Sequence, residues 1–144
     1  MRVLVQRSLE SSVSVNNKVV GKIDSGLVLF VGFTHTDTID NINKLVKKVL
    51  NLRIFNDENE VMNKSILDVG GSILSISQFT LYADTHKGNR PSYINAMGGE
   101  DATKLYDLFN EELRNYLDVE TGIFGADMEI SFTNIGPTTI ILER

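Results

Sequence analysis

The run Gly26-Leu-Val-Leu-Phe-Val-Gly-Phe33 constrains this chain more than any other feature. It is the longest near-continuous apolar stretch, yet far short of the roughly 20 residues a membrane-spanning helix needs. Bounded by Gly26 and Gly32, it fits a strand buried on both faces, although periodicity alone does not decide that. The rest of the chain is compatible with such a core. At 144 residues it matches one domain. A chain of this size buries roughly 70% of its unfolded surface. Hydrophobic residues are 42% and charged residues 23%, which sets aside disordered, collagen-like and low-complexity classes. There is no internal repeat and no linker rich in proline, glycine or serine. The expectation is one compact unit over residues 1–144.

What is missing narrows the chemistry. With no cysteine there is no disulfide framework, no thiol nucleophile and no zinc site built on sulfur. Two histidines, His35 and His86, are too few for a three-histidine metal site, and no metal or cofactor is expected. Met1-Arg-Val-Leu-Val-Gln-Arg7 carries a second arginine where the apolar core of a signal peptide would continue. The reading is a cytoplasmic protein without a membrane partner. The formal charge of −5 opposes wrapping of a long duplex, because counterion release favours basic proteins. DNA is therefore not expected as a partner, whereas a small local patch can still grip the end of a nucleic acid.

Alternating and helical patterns predict the elements. Val3–Gln6 reads as a first strand. Ser12–Val15 and Lys18–Ile23 read as a hairpin about Asn16-Asn17, residues that tolerate positive φ. Ile39, Ile42, Leu45, Val46, Val49 and Leu50 recur at helical spacing, with Asp37 as the expected N-cap. Arg53–Phe55 reads as a short strand. Ser72–Leu81 alternates serine with apolar residues, as a strand with one buried face does. Asp84–Gly99 is a long polar loop, a length that often accompanies function. A second helix is expected over about Asp101–Leu117, with Ala102, Leu105, Leu108, Phe109, Leu113, Tyr116 and Leu117 on its apolar face. Met128–Thr133 and Thr138–Glu143 read as two strands joined by Asn134-Ile-Gly-Pro137. The sum is an α+β domain with two main helices and a mostly antiparallel sheet of about seven strands.

The common catalytic kits are absent: no G-x-S-x-G elbow, H-E-x-x-H helix, Walker loop or G-x-G-x-x-G. Three segments remain as candidates. Ser77-Gln78-Phe79-Thr80 sets hydroxyls and an amide where a strand enters a loop, and backbone N–H groups at such an end can form an oxyanion hole. Thr80 is also a conceivable nucleophile. Taken alone, the same residues equally suit an amphipathic strand with a solvated face. Asn134-Ile-Gly-Pro-Thr138 reads either as a plain turn or as a rigid tip whose carbonyls hold a ligand amine. His86-Lys-Gly-Asn-Arg90 is a small positive cluster, either solvated loop charge or a phosphate contact.

Together these motifs resemble the D-aminoacyl-tRNA deacylases of the bacterial and eukaryotic type. That family carries a Ser-Gln-Phe-Thr motif, here Ser77–Thr80, and an Asn-x-Gly-Pro-x-Thr motif, here Asn134–Thr139. Met62-Asn-Lys-Ser65, Leu67-Asp-Val-Gly-Gly71, Lys87-Gly-Asn-Arg-Pro-Ser92 and Glu120–Met128 are similar too, in the family's order, from Met1 to the C-terminus. Thr138 stands where the family has Val or Phe.

The resemblance implies a homodimer that hydrolyses the ester between a D-amino acid, or glycine, and the terminal adenosine of tRNA. It implies a cis Gly136-Pro137 tip that enters the partner's site, fixes the substrate amine and excludes an L side chain. It also implies catalysis assisted by the ribose 2′-OH, with backbone donors near Phe79 and Thr80 and the whole Ser77, Gln78, Phe79, Thr80 segment at the site. Phe124 and Gly125 are the implied adenosine pocket, and Lys87 and Arg90 candidates for tRNA phosphates. Two rivals are an RNA-independent threonine hydrolase and a non-catalytic RNA-binding dimer.

Overall fold

In the computed structural model, which describes residues 1–144, one long strand organises the sheet. β1 (Arg2–Val15) pairs antiparallel with β2 (Lys18–Ile23) and β3 (Gly26–Gly32) on one side. On its other side it pairs with β8 (Glu129–Glu143). The two strands expected at Val3–Gln6 and Ser12–Val15 are thus one. Register shifts beside Ser8–Ser11 let the same extended chain leave β3 and take up β2 without a turn. Asn16 and Asn17 form that hairpin's turn with φ of 50° and 61°.

β3 is buried on both faces, as the apolar run predicts. Leu27, Leu29 and Val31 face the main core, and Val28 faces a smaller cluster with Val13, Ile23, Leu74 and Ile76. α1 (Ile39–Asn51) carries the chain across the main-core face, burying Ile42, Leu45, Val46, Val49 and Leu50. Its N-cap is Thr38 rather than Asp37: the Thr38 N–H donates to Asn41 Oδ1 at 2.9 Å. Asp37 instead accepts from the Thr34 N–H at 2.8 Å and from the Met1 amine. A small hairpin of β4 (Phe55–Asn56) and β5 (Met62–Lys64) and the short α2 (Ile66–Val69) follow.

β6 (Ser72–Ser77) then lies parallel to β3, and β7 (Val119–Thr121) lies parallel to β6. Here the mostly antiparallel expectation gives way to a mixed sheet of order β2-β1-β3-β6-β7, with β8 on β1. The cause is connectivity: α1 separates β3 from β6, and α3 (Gly99–Arg114) separates β6 from β7. A helical crossover returns the chain in the same direction. There are eight strands and three α-helices. β6 is covered on both faces, with Ile73, Leu74, Ser75 and Ile76 all buried, so its serine alternation does not mark a solvated side. α3 buries Ala102, Phe109 and Leu113 as expected, and Tyr106 and Asn110 as well, while Tyr116 lies beyond it and is exposed. Burial of a side chain such as Phe109 or Leu113 contributes roughly 1.5–3 kcal/mol. No helix is long and apolar enough to cross a membrane.

Candidate active site

Parallel β3 and β6 end on the same edge of the sheet, a position where ligands commonly bind. The Gln78 N–H closes β6 by donating to the Val31 carbonyl at 2.7 Å. The chain then tightens into a 3₁₀ turn, Phe79–Tyr82, so the strand expected to reach Leu81 stops at Ser77. A β-carbon on Gly32 would lie 2.8 Å from the Gln78 carbonyl oxygen. Only glycine lets β3 approach the turn this closely. The Phe79 and Thr80 N–H groups open the turn, where a helical start leaves donors without intrahelical acceptors.

A cavity of about 530 Å³ opens at this edge. Ser77, Gln78 and Phe79 line it together with Phe124 and Gly125, two segments that lie 45 residues apart in the chain. Gly98, Gly99 and Ala102 at the start of α3 line it too. The wall is otherwise largely apolar, with Phe33, Met97, Met128 and Ile130. Gly98, Gly99 and Met97 went unread because glycine and methionine beside a loop carry no pattern of their own. The Phe124 ring packs against Tyr106 at 5.8 Å between centroids. The Tyr106 hydroxyl donates to the Ser75 carbonyl at 2.8 Å, and burial raises the pKa of this phenol.

Thr80 lies outside the lining. Its hydroxyl oxygen accepts a short hydrogen bond from the Gln78 amide, and no histidine, carboxylate or lysine bonds to it. His86 is bound to Asp84 and His35 to the Ile94 carbonyl, so neither is a base for Thr80. The His86 backbone N–H, and after it the His86 ring, hold the Asp84 carboxyl below its usual pKa. Lys87 and Arg90 are exposed in the loop after the turn. No group of three or more His, Cys, Asp or Glu is placed to hold a metal ion.

Gly136 and Pro137 sit elsewhere. They line no part of the cavity of their own chain. The expected turn between two final strands is instead a bulge within the continuous β8. Its register passes from Ser8↔Asn134 to Gln6↔Thr139, so five steps of β8 face two of β1 and the intervening residues lift away. The Gly136-Pro137 peptide is cis and exposed. Thr139 Oγ1 accepts from Asn134 Nδ2 (3.0 Å) and Gln6 Nε2 (3.2 Å) and donates to the Pro137 carbonyl (3.2 Å). Arg7 underlies the tip: its Nη1 donates to the Ile54 carbonyl at 2.8 Å, and a β-carbon on Gly136 would come 3.1 Å from its Nη2. Sequence reasoning missed Arg7. The signal was its phase, since Arg7 follows Val3 and Val5 on the face those valines bury.

A family model described as D-Tyr-tRNA(Tyr) deacylase matches residues 4–143. The chain belongs to the D-Tyr-tRNA(Tyr) deacylase family. Curated members of similar sequence are named D-aminoacyl-tRNA deacylase, that is, hydrolases of an ester bond. One from Listeria monocytogenes serotype 4a (strain HCC23) is 55% identical, covering 99% of this chain and 95% of its own. One from Bacillus cytotoxicus is 56% identical, covering 99% of each. A solved structure titled c-Myc DNA Unwinding Element Binding Protein superposes with a TM-score of 0.94 at 38% identity, covering 100% of this chain and 99% of its own. A probable eukaryotic D-amino acid tRNA deacylase shares the fold, with a TM-score of 0.84 at 20% identity over 98% of this chain and 97% of its own. In this member of the deacylase family, one signature segment lines the cavity and the other forms the separate tip.

Proposed function

We propose that this chain hydrolyses the ester joining a D-amino acid, or glycine, to the terminal adenosine of tRNA, and that it does so in the cytoplasm as a homodimer. The observation that carries the reading is the meeting of Ser77–Phe79 with Phe124–Gly125 in one cavity, in a chain of the deacylase family. In this reading the adenine stacks on Phe124 beside Gly125, whose φ of +76° and open surroundings leave room for it. The ester carbonyl lies at the turn, where the Phe79 and Thr80 N–H groups stabilise the oxyanion as water adds. The acyl C–O bond then breaks to release free amino acid and tRNA.

Thr80 is not the nucleophile in this account. An aminoacyl ester is already activated, and the Thr80 hydroxyl has no hydrogen-bonded base to deprotonate it. The neighbouring ribose 2′-OH supplies the assistance instead. Lys87 and Arg90 contact phosphates of the acceptor end.

The Gly136-Pro137 tip completes the cavity of a second copy. It holds the substrate amine through its carbonyls and leaves no space for an L side chain, while glycine has none to exclude. A dimer is supported by unpartnered apolar surface on β8. Ile141 is 66% exposed, and Ile130 and Phe132 only half cover the smaller core cluster.

The test is to compare release of amino acid from D-Tyr-tRNA, L-Tyr-tRNA and D-tyrosine methyl ester. Hydrolysis of the first alone is expected. Equal turnover of the methyl ester points to an RNA-independent threonine hydrolase. Binding of tRNA without release points to a non-catalytic RNA-binding protein.

A further inference from the structure

Tyr93 is 40% exposed and Ile94 77% exposed, yet the chain around them is fastened. Asp84 and Ser92 exchange backbone hydrogen bonds at 2.8 and 2.9 Å, closing the preceding loop. The Thr34 hydroxyl donates to the Asn95 carbonyl at 2.6 Å, and His35 Nε2 meets the Ile94 carbonyl at 3.0 Å. The Met97 N–H donates to the Phe33 carbonyl at 2.9 Å. The Tyr93 ring stands edge-on to Phe79, with centroids 5.0 Å apart and planes at 68°. Phe79 is itself 52% exposed and forms part of the cavity wall. Two aromatic rings are therefore held in water in a step that leads out of the cavity mouth. Keeping that much apolar surface exposed on a braced segment is unfavourable unless something covers it.

The charge beside the step identifies the cover. The loop closed by Asp84 and Ser92 carries Lys87 and Arg90, and neither forms an ion pair. Asp84, the one acid at its base, is occupied by the His86 N–H and ring. In a chain of net charge −5, an exposed ring that directly follows a closed loop bearing two unpaired cations suits a single nucleic acid strand. Its base faces stack on aromatics and its phosphates meet Lys and Arg. A duplex presents a free base face only at its ends, whereas any base of a single strand can stack, so the occupant is single-stranded.

We propose that Tyr93 is the stacking platform for the nucleotide immediately preceding the terminal adenosine of the substrate. Phe79 is the edge shared between that nucleotide and the cavity. The inference rests on the proposed action on aminoacyl-tRNA and adds a second base subsite to it.

The experiment compares D-Tyr-tRNA with D-tyrosyl-adenosine, which lacks the preceding nucleotide, in wild type, Tyr93→Ala and Tyr93→Phe. Stacking on an aromatic side chain contributes enough that Tyr93→Ala should raise KM for D-Tyr-tRNA by about 10-fold, with kcat within about 2-fold. Its turnover of D-tyrosyl-adenosine should match wild type, and Tyr93→Phe should restore KM. An equal loss on both substrates overturns the proposal, because Tyr93 then acts only by supporting Phe79. Unchanged KM on D-Tyr-tRNA overturns it while leaving the deacylase reading intact. Dissociation of Tyr93→Ala into monomers in sedimentation overturns it in favour of a contact between copies. If wild type hydrolyses neither ester, the deacylase reading and this subsite fall together.

Discussion

The Tyr106 hydroxyl donates to the Ser75 carbonyl oxygen at 2.8 Å, two residues before the Ser77–Thr80 segment. The same oxygen accepts from the Gly122 N–H at 3.2 Å, and the Tyr106 ring lies against Phe124. One phenol thus links α3, β6 and the loop after β7 behind the cavity. Tyr106→Phe keeps the ring and removes the donor, so it should cost about 1 kcal/mol at pH 7.

The pH dependence of that loss follows from the raised phenol pKa. The folded chain holds the Tyr106 proton more tightly than the unfolded chain does. Its stabilisation is complete below the unfolded tyrosine value of about 10 and is lost as pH rises through the higher folded value. Urea unfolding of wild type and Tyr106→Phe should therefore show a gap that is steady at neutral pH and narrows above about pH 10. A gap that stays constant or widens there would contradict the assignment. In an ultraviolet titration Tyr82, pushed up to about 12 mainly by burial, should ionise well above an unperturbed tyrosine.

Gly136→Ala tests the tip. Gly136 has φ of +115°, and an added β-carbon would lie 2.6 Å from Thr138 Oγ1 and 2.8 Å from the Thr138 nitrogen. A non-glycine residue held there costs on the order of 1–3 kcal/mol, or shifts the tip. Since the tip is an exposed bulge, the domain should remain folded by circular dichroism. D-Tyr-tRNA hydrolysis should fall by about 100-fold or more, on the scale of a misplaced positioning group. Wild-type turnover by a folded Gly136→Ala protein would place substrate selection elsewhere.

Thr80→Ala should retain D-Tyr-tRNA hydrolysis to within about 10-fold, because covalent catalysis would instead lose on the order of 10⁴-fold. A tRNA ending in 2′-deoxyadenosine should be a very poor substrate. Single-turnover kinetics on both substrates check the pair, and a trapped acyl-Thr80 would refute the reading.

The legible parts of the fold were those in which local pattern and tertiary role agree. The Gly26–Phe33 run, the α1 stripe from Ile42 to Leu50 and the Asn16-Asn17 turn all read correctly from side-chain type. Strand direction was not legible, because the parallel pairing of β6 follows from crossovers rather than from its own residues. The continuity of β1 and β8 was hidden for a related reason. Arg7 and the Asn134–Pro137 bulge look like interruptions until the opposite strand supplies their register. Within the site, Ser77–Phe79 and Phe124–Gly125 were found as motifs, and folding brings them to one cavity. Tyr106 follows Ala102 by four residues and precedes Phe109 by three, so helical spacing already puts it on the buried face of α3, but the Ser75 carbonyl that takes its hydroxyl proton is supplied only by the fold.

The central claim is that the tip of one chain completes the cavity of another, and subunit mixing tests it most directly. Gly136→Ala damages the tip alone. Gly32→Val damages the cavity alone, since its β-carbon would press on the Gln78 carbonyl oxygen at 2.8 Å. Each variant by itself should be nearly inactive on D-Tyr-tRNA. After re-pairing at equal concentrations, half of the dimers are mixed, and each mixed dimer carries one intact tip over one intact cavity. The account predicts recovery of about a quarter of wild-type activity in the mixture. No recovery in a mixture shown to contain mixed dimers, or full activity from a monomer, would contradict it.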